Sequence, residues 1–260
     1  MRASSLLTAL ATAAACVAPL AGASAKDEGL AKAVAAEHRS PNFVTRDAAR
    51  KPQEVLEFLG VKPTMTVVEI SPGGGYWTEI LAPYLRDKGT YYTAISPRAA
   101  ENWQKKLDGN KDLYGKVKVT DMSKGEVAPA GSADVVVTFR NVHNWMGQGT
   151  ADQVFASFYK ALKPGGILGI EEHRGSNDQP QDPKAANGYV REDYTIALAE
   201  KAGFKLVSRS ELLANPKDTK DHPKGVWTLP PTLALGDQDR AKYQAIGEAD
   251  NFLLKFQKPQ

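Results

Sequence analysis

The stretch VVEISPGGGYWTEIL, residues 67–81, runs a β-branched segment through three consecutive glycines straight into an amphipathic turn of helix. Glycines at such a junction let backbone approach a ligand closely, and the N-terminus of the helix behind them offers free N–H groups and positive dipole to an anion. A group with negative charge on this loop is therefore expected, although the same glycines also suit a tight turn with no ligand. Either way the junction is a βα unit, and the rest of the chain repeats it. Strands are predicted over 66–70, 90–95, 116–120, 134–139 and 167–171, with helices over 76–85, 99–107, 151–162 and 191–202. Strands alternating with helices at this spacing give a parallel, doubly wound α/β sheet. Two further strands, 205–210 and 252–257, are separated by about forty residues of little periodicity.

Upstream, residues 26–51 lack sustained periodicity and read as an arm or cap, after which Pro52 can open a helix that Gly60 closes. Residues 52–260 read as one domain with a lid-like insertion at about 212–250. There DTKDHPKGVWTLPPTL combines prolines with Trp227, a composition that suits a packed lid or a cover for an exposed sheet edge.

The first residues, MRASSLLTALATAAACVAPLAGASA, carry Arg2, an apolar run over 6–17 and an Ala23-Ser24-Ala25 exit, the pattern of a secretory signal peptide (1–25) cleaved before Lys26. The run is too short and alanine-rich for a transmembrane helix. The expected product is an exported protein, periplasmic or secreted, with no membrane span. Cys16, the only cysteine, lies in this segment, so disulfides and thiolate catalysis are excluded from the rest. Without Arg2 the balance of 33 basic against 30 acidic residues becomes 32 against 30, which is no footprint of a nucleic-acid binder.

In a doubly wound sheet ligands bind beyond the carboxyl ends of the strands, so the residues after each strand carry the chemistry. The first strand ends with Glu69 before the glycines. A dinucleotide fingerprint would need a third glycine where Thr78 stands. The stretch instead resembles motif one of the class I S-adenosylmethionine-dependent methyltransferases, with Glu69, Gly73 and Gly75 matching and Ser71 replacing a glycine. DVVVTFRNVHNW looks like that superfamily's fourth strand and active-site loop, ALKPGGILGIEEHR like the next loop and strand, and FLLKFQKP like its closing antiparallel strand. Within the superfamily the chain looks closest to a group of exported predicted methyltransferases.

The resemblance implies a mostly parallel seven-stranded Rossmann-like sheet with an antiparallel last strand, and S-adenosyl-L-methionine as cofactor. It places Ser71, Pro72, Gly73 and Gly75 around the methionyl part, Glu69 under the loop near the amino group, and Asp121 and Met122 at the adenine. It also expects a carboxylate on the ribose at position 94. Alanine stands there, leaving Ser96 to meet the ribose and predicting weakened affinity. In the active-site loop Asn141 offers a donor and an acceptor to cofactor and substrate, and His143 can act as general base or be a satisfied loop histidine. Trp145 can face the sulfonium or anchor the core.

After the fifth strand, alternation sends Glu171 and His173 to one side and Glu172 and Arg174 to the other. The histidines show no ligand-like spacing, so no metal is expected. Two functions follow. One is methyl transfer to a small-molecule acceptor. The other is an exported, non-catalytic ligand-binding protein on a degenerate methyltransferase fold, suggested by Ser71, Ala94 and the export signal.

Overall fold

A computed structural model describes residues 27–260; the predicted signal segment and Cys16 lie outside them. Its strands are β1 (Thr66–Ile70), β2 (Thr90–Ile95), β3 (Lys118–Asp121), β4 (Ala133–Phe139), β5 (Leu162–His173), β6 (Lys205–Ser210), β7 (Pro223–Val226) and β8 (Asn251–Gln257). Seven of them form one sheet in the order β3-β2-β1-β4-β5-β8-β6. β1 to β5 pair in parallel, and β8 runs antiparallel to both β5 and β6. The expected fold class is the observed one.

The β-branched runs explain the central strands. Val67, Val68 and Ile70 of β1 and Val135 to Val137 of β4 are all buried, because helices cover both faces of a parallel sheet and leave no strand side for water. One face packs on Leu56, Leu59, Ile80 and Leu81, and the other on Phe155, Phe158 and Phe204. The predicted helix after Pro52 is present as Pro52–Leu59 and ends at a left-handed Gly60. Its Leu59 lies so close to β5 that a Cβ on Gly169 would come within 2.6 Å of the leucine methyls, so this crossing requires glycine.

The N-terminal arm is more ordered than its periodicity implies. It forms three short helices, Glu28–Val34, Pro41–Val44 and Asp47–Arg50, too short to stand alone and held by ties to the domain. The Ser40 N–H and hydroxyl both donate to Glu79 at 2.7 Å. Arg39 grips Asp47 through two bonds of 2.6 and 2.8 Å, and the Tyr76 hydroxyl donates to the same carboxylate.

The 212–250 stretch holds β7, the helix Arg240–Ile246 and a small apolar cluster of Val226, Leu229, Tyr243 and Ala249 with Tyr189. Glu248 joins it to the rest. The carboxylate takes two bonds from Arg46 of the arm, at 2.6 and 2.8 Å, and one from Arg140 beyond β4, at 2.9 Å. Among the described residues no helix is long and apolar enough to cross a membrane.

Candidate active site at the tips of β1 and β4

In the strand order the chain reverses direction across the sheet between β1 and β4, and that is where an open parallel sheet leaves a crevice. Ser71 follows β1 there. Its φ of +50° is a conformation that costs a non-glycine residue about 1 kcal/mol or more, and its N–H donates to the Ala94 carbonyl at 2.8 Å. Arg140, directly after β4, is likewise left-handed at +62°. Asn141 closes the gap between the two tips: its side-chain NH2 lies 3.2 Å from the Ile70 carbonyl, the Thr138 hydroxyl and the Phe139 carbonyl.

Three depressions meet at Ser71 and Asn141. The first, about 510 Å³, runs from the glycine loop past Ser96 to Trp103 and Lys106. The second, about 500 Å³, passes Ser96, Met122 and Trp145. The third, about 360 Å³, lies under the 212–250 stretch between Trp77, Phe139, His143, His173 and Trp227, with Arg46, Arg50 and Arg140 on its wall.

Most of the predicted residues gather here. Ser71, Pro72 and Gly73 line the loop side, Ser96 and Met122 the grooves, and Asn141 and His143 the far tip. Glu69 lies beneath the loop as expected, fully buried, accepting hydrogen bonds from Thr78 (2.7 Å) and Tyr91. Burial pushes its carboxyl up to about 7, against those two bonds, which favour the ionised form.

Three expectations are corrected. Gly75 does not line the cleft; its φ of +91° favours glycine there, a Cβ would have to push the Lys106 side chain aside, and Gly74 lines the cleft instead. Asp121 is not among the residues lining the grooves; its Oδ1 accepts the Ser123 N–H and hydroxyl at 2.9 and 2.7 Å, where it caps the turn Met122–Lys124. Ala94 is wholly buried in the apolar cluster with Val68, Ile70 and Val136, so it faces no ligand and a carboxylate there would enter the core. Trp145 is a core anchor, edge-on to Phe155 and Phe158, with one side on a groove.

The end of β5 departs from simple alternation. Glu171 faces Arg50 (3.6 Å) and Arg140 (3.7 Å). Glu172 takes the His143 Nδ1 at 3.0 Å and N–H at 3.2 Å, then curls over the strand end to accept the His173 N–H at 2.8 Å. His173 passes its Nδ1 to the Asn251 oxygen at 2.8 Å. The expectation of scattered histidines fails: His143, Glu172 and His173 offer ligand atoms within 4.8 Å of one another. Burial keeps His173 neutral, lowering it to about 3. Burial opposes ionisation of Glu172 as well, but His143 and the His173 N–H outweigh it and hold the carboxyl below its ordinary range.

The arginines escaped the sequence reading. Arg46 and Arg50 lie four residues apart on the arm, a spacing that signals a shared helix face, and Arg140 follows a strand tip directly. Glu171 and Glu248 are their nearest carboxylates. Arg50 is almost fully buried and stacks over Tyr76, its guanidinium 4.2 Å from the ring centre. Burial and the neighbouring Arg140 lower it to about 10, so it stays charged at neutral pH.

Residues 68–168, from β1 into β5, match the family described as "Methyltransferase domain". No curated protein matches the chain. Among solved structures, an S-adenosylmethionine (SAM)-dependent methyltransferase from Aquifex aeolicus aligns over 84% of this chain and 94% of that one, at 17% identity and a TM-score of 0.57. The cyclase SpnF aligns over 89% and 93%, at 14% identity and a TM-score of 0.61. Phosphoethanolamine N-methyltransferase 2 of Haemonchus contortus, solved with S-adenosyl-L-methionine, aligns over 81% and 53%, at 18% identity and a TM-score of 0.53. At these identities the likeness establishes the fold, that of the Rossmann-like methyltransferases. SpnF, a cyclase, illustrates that this fold alone does not fix the reaction.

Proposed function

We propose that this chain is an S-adenosylmethionine-dependent methyltransferase that acts on a small-molecule acceptor held beneath the 212–250 stretch. The observation that carries the reading is the convergence of three depressions on Ser71 and Asn141 at the switch point of the sheet, within the stretch that matches the methyltransferase domain family. An extended cofactor needs room on both sides of the glycine loop, and its reacting atom needs a separate chamber beside it. The adenosine is assigned to the grooves past Ser96, Trp103 and Met122. The amino-acid end is assigned to the loop of Ser71, Pro72, Gly73 and Gly74 above Glu69. The methyl group then points past Asn141 toward the pocket of His143 and Trp227.

The chemistry is in-line displacement: a lone pair of the acceptor forms the new bond to the methyl carbon as the carbon–sulfur bond breaks, and S-adenosylhomocysteine is left. The sulfonium is already activated, so the protein's contribution is alignment and relief of the acceptor's proton. Asn141 fixes the distance between the two strand tips, and His143, held by Glu172, lines the chamber into which the acceptor's proton is released. The non-catalytic alternative drew on Ala94, which lies in the core and bears on no ligand, so its support shrinks to Ser71 and the export signal. Export after cleavage before Lys26 is part of the proposal, on the sequence pattern alone. Calorimetric titration of the chain with S-adenosylmethionine and S-adenosylhomocysteine tests the cofactor assignment: saturable one-to-one binding of both is expected, and a folded protein that binds neither refutes it.

A further inference from the structure

The trio at the end of β5 contains a carboxylate that is fully buried yet has no lysine or arginine partner among the described residues; its neighbours are two imidazoles and two backbone N–H groups. Buried charge is ordinarily paired with opposite charge or bound to a metal. The side chains around Glu172 are those that bind one. The His143 Nδ1 and Glu172 Oε1 face each other at 3.0 Å, the separation of two ligand atoms that each lie about 2.1 Å from one ion and meet it at about 90°, as in a five-coordinate site; a tetrahedral site would spread them to about 3.4 Å. His173 gives its Nδ1 to Asn251, which leaves Nε2 bare, and the two histidine ring centres are 5.5 Å apart. Asn251 stands directly across from His173 in the β5–β8 ladder, so the sheet register itself fixes the ring, as a second layer of contacts does around ligating histidines.

We propose that His143, Glu172 and His173 form a binding site for a divalent first-row transition metal of the zinc class, at the acceptor end of the pocket. Two imidazole nitrogens and one carboxylate oxygen suit zinc, iron, cobalt or nickel rather than magnesium or calcium. Both histidines line the 360 Å³ pocket, so the remaining coordination positions open onto the space beside Asn141. Binding of the ion stands on this geometry alone. Its use rests on the methyltransferase reading: the ion would hold the acceptor's lone-pair atom and loosen its proton, which passes to solvent, while His143 serves as a ligand and not as the base.

The test uses the tag-free chain, stripped with chelator and dialysed, and titrated with zinc by calorimetry and with cobalt by visible absorption. One strong site per chain is expected, with a cobalt spectrum of four- or five-coordinate nitrogen and oxygen ligation. His173→Ala and Glu172→Gln should each weaken zinc binding at least about tenfold, and Asn251→Ala by about tenfold. His222→Ala, which removes the histidine bonded to Asp218 away from the trio, should leave binding unchanged. The proposal is overturned by several weak sites, by a cobalt spectrum like that of the hydrated ion, or by affinity undiminished in His173→Ala. Should Glu172→Gln fail to fold, the wild-type stoichiometry and cobalt spectrum still decide. The cofactor titration is read separately, so loss of the metal site leaves the methyltransferase reading standing, and loss of cofactor binding leaves the metal site standing.

Discussion

Glu69→Gln isolates the electrostatic cost built in beneath the glycine loop. The wild-type carboxyl is buried and pushed from its ordinary 4.5 up to about 7. A carboxyl whose folded value is raised contributes stability that is fully present below its unfolded value and is lost as pH rises through the folded one. At about 1.36 kcal/mol per tenfold step in proton affinity, the whole loss is about 3 kcal/mol, most of it between about pH 5 and about pH 8. Glutamine carries no charge and escapes this loss. It pays a separate penalty of about 1 to 3 kcal/mol: Thr78 and Tyr91 both donate to Oε2 already and keep that oxygen, but the buried NH2 that replaces Oε1 has no acceptor among the described residues; that penalty does not vary with pH. The expected signature is therefore the change of the gap between the two proteins. Urea unfolding followed by tryptophan fluorescence should show the variant gaining about 2 to 3 kcal/mol on wild type from about pH 5 to about pH 8. For a domain of this size that is a relative shift in Tm of about 4 to 12 °C. Parallel pH dependences for the two proteins would refute the buried, raised carboxyl. The same cost links to function: a ligand ammonium above Glu69 would draw off its proton, so cofactor binding near about pH 6 should release protons and give heats that depend on the buffer.

Gly73→Val should fold, since nothing lies within 4 Å of a Cβ there. Its φ of +59° and the side chain entering the cleft should weaken S-adenosylhomocysteine binding by more than about tenfold, measured by calorimetry. Glu248→Ala strips the carboxylate shared by Arg46 and Arg140. It should cost about 2 to 4 kcal/mol and speed amide exchange across 223–250 before the sheet is affected, read by hydrogen exchange. Ala94→Asp should lower Tm by about 6 to 12 °C and leave cofactor affinity no tighter, because the new carboxylate enters an apolar core; tighter binding at unchanged Tm would contradict that placement.

The sheet was legible because its strands carry the burial of both faces in their own composition: Val67, Val68, Val135 and Val136 can only be central. The glycine loop was legible for the same local reason, a strand running into a helix. What escaped the sequence is what depends on partners far along the chain. The arm's helices are fixed by Glu79 and Tyr76, and Val142–Gln148 reads as loop because its buried face packs on distant residues. Counting along the motif put the missing ribose carboxylate at Ala94; the sheet register, Ile70 opposite Ala94 with Ser96 beyond the strand, puts Ser96 at the tip. His143 and His173 are thirty residues apart in sequence and meet only because β4 and β5 are neighbours in parallel register, which no spacing rule reports.

The most direct measurement is a crystal structure of the chain with S-adenosylhomocysteine. The account predicts the adenosine beside Ser96 and Trp103, the ligand's ammonium over Glu69, and its sulfur next to Asn141 with the pocket of His143 and Trp227 open beyond it. A ligand seated elsewhere, or one whose sulfur faces away from that pocket, would contradict it.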